Sequence, residues 1–279
     1  TYLILMYLMN KIYINYSDRF HFMSMDAFYS QDKVGIEKIN LIEISKDLNI
    51  PKETVRRKVN FLQSNDIIIR SGKSIFLNSK GLEIQKPLST IENMSTLLSK
   101  LSIYCSAEDW FGNALEKEDI KKFITEHFTV SWEYWYRFQI PYLVRHRKFF
   151  GDLESWNVWA SIGLVQIRDL ISSIENDVKS KPATYSDFYL ATLKHKPKRG
   201  INASSISDIS AIPRATVIRK LKTLEKKKLI IRNKRLEYSI GNNKEHMRAI
   251  GENYKTTQRA FSDYFATMFN LMKFSKFSI

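Results

Sequence analysis

Apolar positions recur at helical spacing along most of this chain. Val55, Val59 and Leu62 stand at i, i+4 and i+7, and Val217, Leu221 and Leu224 repeat that spacing far downstream. Each triplet marks one buried face of a helix. After each comes a β-branched run, Ile67-Ile68-Ile69 and Leu229-Ile230-Ile231. A polar turn follows (Ser71-Gly72-Lys73; Asn233-Lys234-Arg235), then a second strand, Ile75-Phe76-Leu77 in one place and Leu236 through Ile240 in the other. Helix followed by hairpin is therefore predicted twice. Residues 1–9 are almost wholly apolar but meet Asn10 and Lys11 too early to span a bilayer, which takes about 20 residues. They predict a buried or amphipathic helix. No basic stretch or small-residue cleavage site accompanies them, so no signal peptide is expected.

The two patterned stretches are one module used twice. Shifting the chain by 162 residues aligns 44–70 with 206–232 without a gap, and 12 of the 27 positions are identical. Among them are Ile50/Ile212, Pro51/Pro213, Thr54/Thr216, Val55/Val217, Arg57/Arg219 and Lys58/Lys220. Each copy predicts a short helix (41–48; 204–210), a tight turn and a second helix opened by proline at its first position, where the missing N–H costs nothing. Leading helices are expected at 18–30 and 184–195.

The strings IPKETVRRKVNFLQSNDIIIR and IPRATVIRKLKTLEKKKLIIR resemble winged helix-turn-helix modules of bacterial transcription regulators of the MarR, GntR and IclR kinds. The resemblance covers about 60 residues per copy. It implies three helices and a hairpin wing in each, with the proline-opened helix as recognition helix. This sequence departs from those families in carrying two modules in one chain. It also places Asp66 and Lys228 where they usually place glycine before the wing.

Charge supports a polyanionic partner. Lys and Arg number 44 against 29 Asp and Glu, a net charge of +15. Residues 196–235 carry +11 and residues 43–80 carry +4, so the rest of the chain is neutral. Cations confined to the repeated modules suit phosphate neutralisation; a lysine-rich solvated surface is the bland alternative. Helix geometry then nominates contacts. In the first copy these are Lys52, Thr54, Arg56, Arg57 and Asn60, with Lys73 on the wing. In the second they are Arg214, Thr216, Arg219 and Lys222, with Lys234 and Arg235 on the wing. Arginine and asparagine can read base edges, whereas the threonines meet phosphate or cap the helix and the wing cations meet backbone. Ile218 and Lys222 replace Arg56 and Asn60, so the two copies should not read identical half-sites.

Between the copies, residues 88–183 read as helical, with Pro141 breaking or starting a helix. Residues 128–159 hold 11 aromatics and four of the five Trp. Trp132, Trp135, Arg137, Tyr142, Trp156 and Trp159 could line a pocket for a small acidic effector. A packed core or interface uses the same residues and is the reading favoured here. In 247–271, Met247, Ile250, Tyr254, Thr257, Phe261, Tyr264, Met268 and Leu271 form a seam on a long helix, which packs on the central helices or on a second subunit.

Catalytic signatures do not appear. The chain has nine Gly and no phosphate-cradling glycine loop, and its five His lack partners at zinc spacing. The lone Cys105 is read as a small core residue in a reducing, cytoplasmic setting. The expectation is thus a mainly α protein that is neither an enzyme nor a cofactor carrier. Its segments are an apolar helix (1–17), a first winged-helix module (18–87), an aromatic helical domain (88–183), a second module (184–243) and a C-terminal helix (244–279). It binds double-stranded DNA as a homodimer, away from membranes, as a transcription regulator. A plasmid-type replication initiator, a chromosome-organising protein and a protein-interaction scaffold are the rivals.

Overall fold

The computed structural model describes residues 1–110, 112–175, 185–241 and 243–275. The chain is mainly helical with two small antiparallel sheets. It divides into two compact units, one comprising Thr1–Tyr142 with Ala260–Ile279 and the other Leu143–Arg259. Each unit holds one copy of the repeat. The division runs through the helical stretch 88–183.

The first unit opens with α1 (Tyr2–Asp18), in which every residue from Leu3 to Met9 is buried. It packs on β1 (Lys33–Ile36) and α4 (Lys52–Ser64). Between them lie α2 (Met25–Tyr29) and α3 (Leu41–Asp47). β2 (Ile68–Ser71) and β3 (Ser74–Asn78) form the hairpin, and β3 is central in the order β1-β3-β2. Val34 and Ile68 both lie opposite Leu77, so one apolar row runs across the sheet onto the helices. α5 (Ser79–Ile84), α6 (Leu88–Ala107), α7 (Lys117–Glu126) and the start of α8 (Phe128–Phe150) follow.

The second unit repeats the plan. α9 (Leu153–Glu175) packs on α11 (Ala203–Ser210), α12 (Arg214–Lys226) and the hairpin of β4 (Ile230–Arg232) and β5 (Tyr238–Ile240). α10 (Tyr185–Lys194) precedes them. Val158, Ile162, Ile206, Val217, Leu221 and Leu224 share one core. α13 (Lys244–Ser275) contributes residues to both units.

The repeat extends into detail that side-chain identity alone does not carry. Asn40 and Asn202, 162 residues apart, each cap a helix by accepting the N–H of the second residue on. Ser45 and Ser207 each donate their hydroxyl to the carbonyl just before the proline, Ile50 at 2.6 Å and Ile212 at 2.7 Å. Asn49 and Ala211 are both left-handed in the turn, at φ 51° and 54°. So are Asp66 and Lys228, at φ 54° and 57°: the backbone adopts the glycine-like turn without glycine.

Several expectations are corrected. No helix fills 18–30: α1 ends at Asp18, Phe20 is left-handed at φ 54°, and α2 is a single short turn. In the second copy α10 spans 185–194, and Thr184 lies outside the described residues. Pro51 and Pro213 occupy the cap position, one residue before the helix. Pro141 neither breaks nor starts a helix but sits inside α8. It is on the exposed side, where water can satisfy the freed carbonyl. β5, the second hairpin strand, begins at Tyr238, not Leu236, because Leu236 is left-handed and the Asn233 side chain accepts the N–H of Arg235 and Glu237. Cys105 is only half-buried on α6.

Candidate nucleic-acid interface

The apolar stripe of each proline-opened helix faces inward: Val55, Val59 and Leu62 on α4 and Val217, Leu221 and Leu224 on α12 are all at most 1% exposed. The opposite face must therefore meet solvent or a partner. On α12, Ala215, Arg219, Lys222 and Lys226 fall at i, i+4, i+7 and i+11 and are all exposed. Arg214 is exposed at the helix start, and its Nε donates to the Ser204 hydroxyl of α11 at 3.1 Å. This contact fixes the base of a long side chain in advance. Lys220 is the exception on the helix. It is 8% exposed and bonded to Asp152 at 2.7 Å and Glu154 at 3.0 Å, so it anchors α12 to the start of α9.

On α4, Lys52, Arg56, Arg57 and Asn60 are exposed. Their charge is less free. Arg56 makes a two-pronged bond to Glu53, Nε to Oε2 at 2.9 Å and Nη2 to Oε1 at 2.7 Å. This bond holds the Glu53 carboxyl below the usual carboxylate range and raises Arg56. Asn60 accepts from Arg70 at 3.4 Å. Glu53 occupies the position of Ala215, so the second face is the more positive one.

Thr54 and Thr216 are half-buried, and neither caps its helix. Of their two expected roles, capping is excluded. The first-turn N–H groups of both helices lack a side-chain acceptor at the cap, an arrangement suited to phosphate. The hairpin cations Lys73, Lys234 and Arg235 are all exposed. Gly72, at φ 58°, forms the tight β2–β3 turn with Lys73.

The six residues nominated for an effector fall in both units. Trp132, Trp135, Arg137 and Tyr142 belong to the first unit, Trp156 and Trp159 to the second. Trp132 is buried and stacked on Phe128 at 5.2 Å. A cavity beside Trp132 and Trp135 measures 130 Å³, too small for a typical organic ligand. Arg137 is bound to the buried Glu133 at 2.5 Å and lies over the Tyr134 ring. Tyr142 stacks on Phe138 at 5.7 Å. Trp156 and Trp159 pack on the second core, and Trp159 Nε1 donates to the Leu229 carbonyl at 3.3 Å.

Among the described residues no cluster of three or more His, Cys, Asp or Glu is disposed to hold a metal, and no helix is long and apolar enough to cross a membrane. The chain matches no family model, no curated protein and no solved structure.

Proposed function

We propose that the protein binds double-stranded DNA sequence-specifically through two winged-helix modules, one per unit, and regulates transcription. The observation that carries this reading is the exposed basic face of α12. Arg214, Arg219 and Lys222 point away from the core, while the one cation that points inward, Lys220, is neutralised by two carboxylates. A merely solvated lysine surface has no reason to sort its charges in this way. Exposed cations on a recognition helix and its wing neutralise phosphate, and arginines at the helix start reach base edges in the major groove. The second module supplies most of the affinity, and the first, with Arg56 tied to Glu53, mainly adds selectivity.

A homodimer through α13 is the less favoured arrangement, because the seam is used within the chain. Tyr264 donates to Met94 at 2.7 Å and packs on Trp135, and Ile250 joins the second core. One chain therefore spans two unequal half-sites. The presence of one module in each compact unit also suits a replication initiator, which would bind iterated sites.

Selection of genomic DNA fragments by the purified protein tests the reading. A shared asymmetric motif near promoters is the expected result, and iterated motifs near an origin favour the initiator. Recovery of fragments without any enriched sequence contradicts specific recognition.

A further inference from the structure

The second unit contains a cavity of 770 Å³, within the range of small-molecule sites. It is bounded by α10, the loop after it, the β4–β5 hairpin and the first half of α13. Its apolar surface comes from Leu193 and Ile240, both buried, together with Ile231 and Met247. Ile231 is 48% exposed although its neighbour Ile230 is 1% exposed: the strand turns one isoleucine to the core and the other to the cavity.

Charge around this apolar surface has one dominant sign. Lys194, Lys196, Lys244, Arg248 and Lys255 line it, against Glu237 and Glu252. Lys255 is paired with Glu252 at 3.6 Å, and Glu237 accepts from Asn233 at 2.8 Å. Lys194, Lys196, Lys244 and Arg248 are exposed and have no carboxylate within 4 Å among the described residues. On α13 the cavity residues 244, 247, 248, 251, 255 and 258 fall on one helical face. Gly251 lies in the middle of that face. Glycine costs about 1 kcal/mol in a helix relative to alanine, and here it lines the cavity.

An apolar body with a cationic rim selects a molecule of matching kind. We infer that this cavity binds a small amphipathic organic anion, a carboxylate, sulfonate or phosphate on an apolar skeleton, with its charge toward Lys244 and Arg248. None of the aromatic residues of 128–159 lines it. Its occupancy does not require the DNA-binding reading.

Titration of the full-length protein with the fluorescent sulfonate anilinonaphthalene sulfonate tests the inference. Saturable binding at one site is expected. Decanoate should displace the probe, whereas decylamine, with the wrong charge, and inorganic phosphate, with no apolar body, should not. Lys244→Glu/Arg248→Glu changes two exposed residues and should weaken binding by about tenfold or more. Gly251→Leu raises helix propensity while filling the cavity, so it should keep or raise the melting temperature and abolish binding. Non-saturable probe binding, equal displacement by decanoate and decylamine, displacement by phosphate, or unchanged affinity in both variants overturns the inference.

Discussion

Lys220 Nζ lies 2.7 Å from the Asp152 carboxylate and 3.0 Å from that of Glu154, while Lys222, two residues along the same helix, points to solvent. The pair separates a cation that positions α12 from one available to a partner. Lys220→Met keeps an apolar stem but leaves two carboxylates side by side. Because both carboxylates are about half in water, the expected loss is only about 1–2 kcal/mol. Lys222→Ala should leave stability unchanged and reduce the salt slope of DNA binding by about one. Thermal melts and binding isotherms on both variants check this; equal effects on both properties would contradict the division.

The same contact has a pH signature. Partial burial favours the neutral form of Asp152, but hydrogen bonds from Lys220 and Ser155 more than offset this and hold its carboxyl below the usual range. A carboxyl depressed on folding stabilises the fold fully above its unfolded value, about 3.9, and that contribution is lost as pH falls through the lower folded value. Wild-type stability should therefore decline below about pH 4 by more than that of Lys220→Met. Chemical denaturation between about pH 2 and 6 measures it; parallel profiles would show that the contact contributes nothing.

Glu53 restrains Arg56 at the start of α4. Glu53→Gln removes a negative charge from the face that, on the proposed reading, meets phosphate, and frees a guanidinium. DNA affinity should rise about threefold to tenfold at low salt, with discrimination among sequences reduced and the salt slope steeper by about one. Competition assays with specific and random duplexes test this; unchanged affinity would place α4 away from DNA.

Much of the two modules is legible in the sequence. The spacing of Val55, Val59 and Leu62, the turn proline and the β-branched runs are local signals, and they appear twice. The helices that cover the modules are harder to read. α1 is apolar on almost every face, so periodicity does not mark its limits, and the 18–30 stretch lacks a clean apolar stripe at helical spacing to support the helix expected there. β1 is only four residues long, and its partner is 43 residues away by register, Val34 opposite Leu77. Charge counting found the basic face but could not tell Lys220 from Lys222, because the carboxylates that claim Lys220 come from the start of α9. The cavity was illegible for the same reason: residues near 195, 235 and 250 meet only in the fold.

On the proposed reading, exposed cations of the two modules neutralise DNA phosphate. The most direct test is the salt dependence of binding to a selected duplex, measured by fluorescence anisotropy for wild-type, Arg214→Ala/Arg219→Ala and Arg137→Ala proteins. Wild-type affinity should fall roughly a thousandfold between about 50 and 200 mM salt. The double variant should bind more weakly with a shallower slope. Arg137→Ala removes the charged partner of buried Glu133, so it should melt earlier yet, below its transition, keep the wild-type slope. A shallow wild-type dependence, or equal DNA binding by all three proteins, would contradict the account.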